Sequence, residues 1–198
     1  MNIFALDNDP KLAAQYHNNS HTIKMILEYC QLLSTAHRVL DGKLVESKKM
    51  VAGSFPVRWR KTTQWELDDD RNVKLYKSTH ISHPSAIWVR ESDSNYKFLH
   101  NLLVELCKEY TYRYGKIHKC ESSGLVSYLS KCPNNIPNGE LTPVSPAMPK
   151  EYVIQGDSIA SYRNYYNNSK QHLANWSGKV NSRSIPEWFF INTIKLEQ

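Results

Sequence analysis

No run of about 18 apolar residues occurs in the 198-residue chain, so no membrane-spanning helix is expected. The opening, Met1-Asn2-Ile3-Phe4-Ala5-Leu6-Asp7, lacks the basic end and apolar stretch of a signal peptide. Cysteine is scarce: Cys30, Cys107, Cys120 and Cys132 form no C-x-x-C pair. Cys30 and Cys107 fall inside apolar helical patterns, where buried free thiols are expected, and the compartment reads as reducing cytoplasm. In that compartment the Asn-x-Ser triplets at Asn18, Asn167 and Asn175 carry no glycosylation meaning. G-x-G-x-x-G, Walker, G-x-S-x-G and H-E-x-x-H motifs are all missing, which disfavours dinucleotide enzymes, P-loop NTPases and the common serine and zinc hydrolases. Internal repeats and low-complexity tracts are absent, and strand signals are sparse.

What is there suffices for a core. Hydrophobic residues make up 40% of the chain, with five Trp, twelve Tyr and five Phe, which excludes a disordered polymer and suits a single domain over residues 1–198. Acidic residues are the minority among charges: 25 Lys and Arg against 19 Asp and Glu leave a net charge of +6. That excess favours a polyanionic partner.

The pattern predicts a mainly α, compact helical bundle with long Pro-rich and basic/aromatic loops. Asp9-Pro10 starts a helix that runs through Tyr16. A second runs from Ser20 or His21 to Leu40, with Gly42 as a left-handed cap. Its expected core stripe is Ile23, Ile26, Leu27, Cys30, Leu33 and Leu40, and its other face carries His21, Lys24, Glu28, Gln31 and Thr35. Residues 43–78 read either as a loop or as a short hairpin. A short helix is predicted from Pro84 to Arg90, and the longest from Asn95 to Tyr114, capped by Ser92-Asp93-Ser94 and closed by Gly115. Its expected stripe is Tyr96, Leu99, Leu103, Leu106 and Tyr110. Another short helix is expected over Ser123 to Leu129. Five of the nine prolines fall between Pro133 and Pro149, a wrapped loop. A last long helix is expected from Asp157 to Trp176, then an aromatic tail, Pro186-Glu187-Trp188-Phe189, packed on the body.

Several groups of residues have chemical potential. On the second helix His21, Lys24, Glu28 and Gln31 stack over successive turns, which would set Glu28 between two cations and an amide, as a general base or a stabiliser of developing positive charge. The bland reading of the same face is solvated ion pairs. His17 and His21 at i,i+4, and His80 and His83 as H-x-x-H, are conceivable metal ligands, yet no carboxylate or cysteine completes either pair; capping roles explain them as well. Aromatics alternate with bases in Tyr110 to Lys119 (including Tyr112, Arg113 and Lys116), in Tyr162-Arg163-Asn164-Tyr165-Tyr166, and in Arg58-Trp59-Arg60-Lys61. Tyrosines to stack on bases beside cations to hold phosphates are what a nucleic-acid surface requires.

Three segments, taken in order, carry a resemblance: Met1 to Asp7, the helix ending Ala36-His37-Arg38-Val39-Leu40-Asp41-Gly42-Lys43, and His83-Pro84 leading into Asn95-Tyr96-Lys97-Phe98-Leu99. Over the stretch from Met1 to Gly115 the chain resembles the small helical pyrimidine-dimer DNA glycosylases of the endonuclease V type. The runs THISHP (Thr79 to Pro84), EYTYRYGK (Glu109 to Lys116) and AMPKEY (Ala147 to Tyr152) resemble uncharacterised phage-encoded proteins, and would place the chain in the host cytoplasm. The glycosylase resemblance implies an all-helical fold and a reaction in which an N-terminal α-amine attacks the sugar C1′ while a helix-borne Glu assists. A base would have to leave the stack for this. Met1 or Asn2 would supply the amine; the bulk of Asn2 hinders removal of Met1. Matching Glu28-Tyr29 to the Glu-Tyr pair before the family's catalytic Glu puts Gln31 at that position, so the role falls on Glu28, one turn earlier, with Lys24 and Arg38 near it as phosphate holders.

The sequence thus points to a DNA glycosylase or glycosylase/AP lyase acting on damaged or modified pyrimidines. Glu28, His21, Lys24, Met1 and Asn2 would be catalytic, and Gln31, His80, His83, Arg90, Tyr112, Arg113, Lys116 and Arg163 would bind substrate. No cofactor and no metal are required, DNA is the expected partner, and no membrane is involved. Two other readings stand beside it. One is a phage-encoded protein that binds or modifies a nucleotide or other small molecule, in a pocket of His21, Glu28, His80, His83 and Arg113. The other is a metal-dependent nuclease built on the histidine pairs.

Overall fold

A computed structural model describes residues 1–53 and 55–190. Its elements in chain order are helices α1 (Pro10–Tyr16) and α2 (Asn19–Asp41), strands β1 (Lys43–Met50) and β2 (Trp59–Glu66), and helices α3 (Arg71–Lys74), α4 (Pro84–Val89), α5 (Asp93–Tyr114), α6 (Lys119–Ser122), α7 (Leu125–Tyr128) and α8 (Ser158–Ser169). The fold is mainly helical. Antiparallel β1 and β2 form its two-stranded sheet, which resolves the choice left open at residues 43–78 in favour of a hairpin. None of the helices among the described residues is long and apolar enough to cross a membrane.

Capping chemistry sets the helix starts. Asp9 accepts from Lys11 N ahead of Pro10, Asn18 accepts from His21 N, and Ser92 accepts from Asn95 N. Gly115 closes α5 in the left-handed conformation, φ 64°. Gly42 does not: its φ is −93°, and its need for glycine is steric. A Cβ there would lie 2.5 Å from Arg38 O and 2.7 Å from Glu66 O, because the hairpin crosses the helix end at this point.

α2 and α5 form the central pair, with α1 laid on α5 and α4 on α2. The α5 stripe is as expected: Tyr96, Leu99, Leu103 and Leu106 are fully buried and Tyr110 is packed at the edge. The α2 stripe is rotated and wider. Ile26, Cys30 and Leu33 are buried, but so are Met25, Tyr29, Leu32 and Thr35, while Ile23 and Leu27 are 45% and 40% exposed. The helix is wrapped by the N-terminal segment, α4 and α5 together, so its core face is not a single amphipathic stripe.

α8 stops at Ser169, short of the expected Trp176. Beyond it the polar run folds back on itself: Asn168 Nδ2 donates to Asn164 O, Gln171 Nε2 donates to Asn167 O, and Asn167 Nδ2 donates to Trp188 O. Trp176 then packs into the body, with Nε1 donating to Tyr16 O. Phe189 is buried and Trp188 packs on the core, as the aromatic-tail reading held. All four cysteines are free thiols, Cys30 and Cys107 among the buried ones.

Two buried arginines tie the layers together. Arg38, 1% exposed, donates from Nε to Tyr76 O, from Nη1 to Trp65 O and Asn72 Oδ1, and from Nη2 to Asn72 O and Leu75 O. It therefore clamps the hairpin and residues 72–76 onto α2, and the expectation that it holds phosphate is corrected. Arg113, fully buried, pairs with Glu109 and donates to the carbonyls of Gln15 and His17, which α1 leaves unpaired at its C-terminal end. A guanidinium enclosed in this way is a structural clamp.

Candidate active site

The site forms where the N-terminal segment meets α2. Ile3 to Leu6 are buried, and Phe4 stacks on the His21 ring at 4.2 Å and meets Tyr162 and Tyr166 edge-on. A relay of hydrogen bonds fixes the backbone. Phe4 N–H donates to Tyr29 Oη at 3.1 Å, the Tyr29 hydroxyl donates to His17 Nε2 at 3.3 Å, and His17 Nδ1–H donates to Ala13 O at 2.7 Å. Downstream, Arg163 Nε donates to Leu6 O and its Nη2 pairs with Asp7 at 2.9 Å, under the Trp188 ring.

Held in this way, the Met1 amine lies 4.0 Å from Glu28 Oε2. Glu28 is only 13% exposed, and its Oε1 is 3.3 Å from Lys24 Nζ, which projects into solvent. Tyr29 thus anchors the chain at Phe4, three residues after Met1, while its neighbour Glu28 receives the amine. Asn2 Oδ1 is buried without a hydrogen-bond partner.

The segment Thr79 to His83 closes the site from another side. Thr35 Oγ1 accepts from Thr79 N at 3.2 Å and donates to Gln31 O at 2.7 Å, which pins this segment to α2 about two turns beyond Glu28. His80 takes the left-handed conformation, φ 49°, with Nδ1 against Thr79 Oγ1. His83 caps α4: its Nδ1 accepts from Ser85 N at 3.2 Å, so in the neutral ring the proton sits on Nε2. Partial burial holds the His83 pKa below its usual value, and the charges of the N-terminal amine and His80 push the same way, against Glu28. The amine, carboxylate and imidazole therefore share one electrostatic neighbourhood.

Other sequence candidates sit elsewhere. His21 stays on the Glu28 face of α2 but is covered there: it is buried, stacked on Phe4, and bonded to the Tyr166 hydroxyl. Burial draws its pKa down to about 3. Arg113 is enclosed as described, and Tyr112, 39% exposed, lies under Arg183. Lys116 is exposed beyond it. Arg113 bonds Asn19, and nine residues of α2, about 14 Å, separate that point from Glu28. Arg90 folds back on Ala86 O, and Arg163 positions the N-terminal segment. The five-residue pocket expected for a small-molecule binder is therefore not assembled. Two clefts of about 550 and 590 Å³ open elsewhere, one beside Asp7, Arg163 and Asp157, the other beside His37, Arg71 and Tyr128. No group of three or more His, Cys, Asp or Glu side chains placed to hold a metal occurs among the described residues.

Sequence reasoning gave no structural role to Tyr29 or Thr35, and it placed Ile23 and Leu27, which are exposed and flank Lys24 and Glu28, in the core stripe. Tyr29 was visible as half of the Glu-Tyr pair. The others depend on what covers α2. Compared with protein-family models, curated proteins and solved structures, the chain matches none.

Proposed function

We propose that the protein is a DNA glycosylase with AP-lyase activity on damaged or modified pyrimidines, with the Met1 amine as nucleophile. The observation that carries the reading is the Met1 amine 4.0 Å from a recessed carboxylate, Glu28, on a buried and hydrogen-bonded chain segment.

In this reading Glu28 takes a proton from the amine, which attacks C1′ of the extruded nucleotide. The C1′–N1 bond breaks, its electron pair leaves with the pyrimidine, and the base acquires a proton. Loss of the second amine proton and cleavage of C1′–O4′, with O4′ taking the proton from Glu28, yields an imine. Removal of a C2′ proton then expels the 3′ phosphate, and water hydrolyses the imine. The His83 Nε2–H and the Lys24 ammonium supply donors for the leaving base or flanking phosphates. The Lys24 ammonium lies 3.3 Å from Glu28 Oε1, and the His83 ring feels the charges of both the amine and Glu28, which supports the assignment.

Glu28→Gln keeps the size and removes the proton acceptor. Strand cleavage of irradiated duplex is expected to fall at least a hundredfold. Affinity for the same duplex should change less than threefold. Turnover at the wild-type rate would sink the assignment.

A further inference from the structure

The chemistry at Glu28 leaves the hairpin without a task. Residues 43–66 hold six basic side chains and two acidic ones, so four of the chain's net +6 charges lie in this one ribbon. Among the described side chains of the two strands none is buried: along β2 Trp59, Arg60 and Lys61 are exposed, and along β1 so are Lys43, Glu46 and Lys48, while Thr62, Gln64 and Trp65 near the body are half-buried. The register sets Lys48 opposite Lys61, and the next positions, 49 and 60, are again both basic. Like charges facing each other across a strand pair weaken it, and an uncovered two-stranded hairpin is marginal to begin with. The Glu46 contact to Lys61, at 3.9 Å and well exposed on both sides, offsets little of this. Met50 faces Trp59 across the ribbon, at 60% and 63% exposure, and Phe55 is fully exposed at the tip. A ribbon so charged is stabilised by a polyanion.

We propose that this hairpin is an arm that docks in a groove of duplex DNA, its basic side chains on the flanking phosphates and Trp59 within the groove. A two-stranded ribbon fits the major groove, about 12 Å wide, and eight-residue strands span about 26 Å. Five of the six bases, at positions 48, 49, 58, 60 and 61, gather in the distal half of the ribbon, while Lys43 lies at its base opposite Glu66. Arg38 locks the arm to α2 through Trp65 O, and the helix from Glu28 to Asp41 measures about 20 Å, or about six base pairs. The base of the arm is thus fixed about 20 Å along α2 from Glu28, within the reach of one duplex. The inference rests on the DNA reading of the partner and is independent of the amine chemistry.

The test uses the full chain with Lys48→Ala, Arg60→Ala and Lys61→Ala combined, and an undamaged fluorescent duplex titrated at several salt concentrations. Affinity is expected to fall at least tenfold at 0.1 M salt, and the log–log salt slope to flatten by about 2 to 3, at an unchanged melting temperature. The milder pair Lys48→Gln and Lys61→Gln, which keeps the aliphatic stems, should flatten the slope by about 2. An unchanged slope in variants of a wild-type protein that binds duplex would overturn the arm. Stronger wild-type binding to phosphatidylserine vesicles than to duplex would overturn it as well. The two proposals separate cleanly: lost duplex binding in the triple variant with no cleavage by wild type keeps the arm and ends the glycosylase, and Glu28-dependent cleavage with full binding by the triple variant does the reverse.

Discussion

At Tyr29 one hydroxyl accepts from Phe4 N–H and donates to His17 Nε2, and both bonds disappear in Tyr29→Phe. The change leaves two buried groups unsatisfied, which costs about 1–3 kcal/mol. Its second effect is on position: the segment that carries Met1 loses its tether to α2. Cleavage is expected to fall at least tenfold in kcat with KM for DNA nearly unchanged, whereas a purely structural role would lower the melting temperature and leave the kcat of the folded fraction intact. Part of this site was legible in the sequence. Glu28 stood out because it lies between a lysine and an amide at helical spacing, and the family resemblance tied it to an N-terminal amine. His21 was grouped with it by the same spacing and does share its face, but spacing could not show that the Phe4 ring, from outside the helix, covers it. Periodicity reports the faces of an element and not what other segments lay over them.

At the scale of elements, caps and breakers were the readable features. Asp9-Pro10, Ser92 and Gly115 each mark the helix boundary they predicted, since capping is a local hydrogen-bond problem. Gly42 marked a boundary for a different reason. Its backbone is ordinary, and the hairpin's Glu66 carbonyl passes too close for a methyl group. Gly42→Ala is therefore expected to destabilise by about 1–3 kcal/mol, by forced displacement of the hairpin from the end of α2. Denaturant melts check it; a neutral or stabilising change would mean that the hairpin yields freely. The hairpin itself was only half legible. Its strands bury neither face, so they show no alternation of apolar and polar residues, the signal by which a strand is recognised.

For the whole molecule, the charge excess was read correctly in amount and only partly in place. Arg38 and Arg113 count towards +6 but are enclosed by carbonyls, and the solvent-facing excess gathers on the ribbon. Three buried histidines give stability a pH dependence. Burial draws His17 to about 4, His21 to about 3 and His37 to about 4, each from an ordinary 6.5. The unfolded chain therefore takes up protons below about 6.5 that the folded chain refuses until near 4, so stability is full above that range and falls as pH drops through it. The loss by pH 4.5 sums over the three rings to about 8 kcal/mol, seen as a falling urea midpoint; a midpoint flat from pH 7 to 5 would contradict the buried neutral rings. The central claim, an amine nucleophile beside Glu28, is met most directly by borohydride trapping with untagged protein on irradiated and unirradiated duplex. The account predicts a covalent adduct on the irradiated duplex alone, with mass analysis placing the bond on the Met1 nitrogen. No adduct, or one that maps to a lysine side chain, would contradict it.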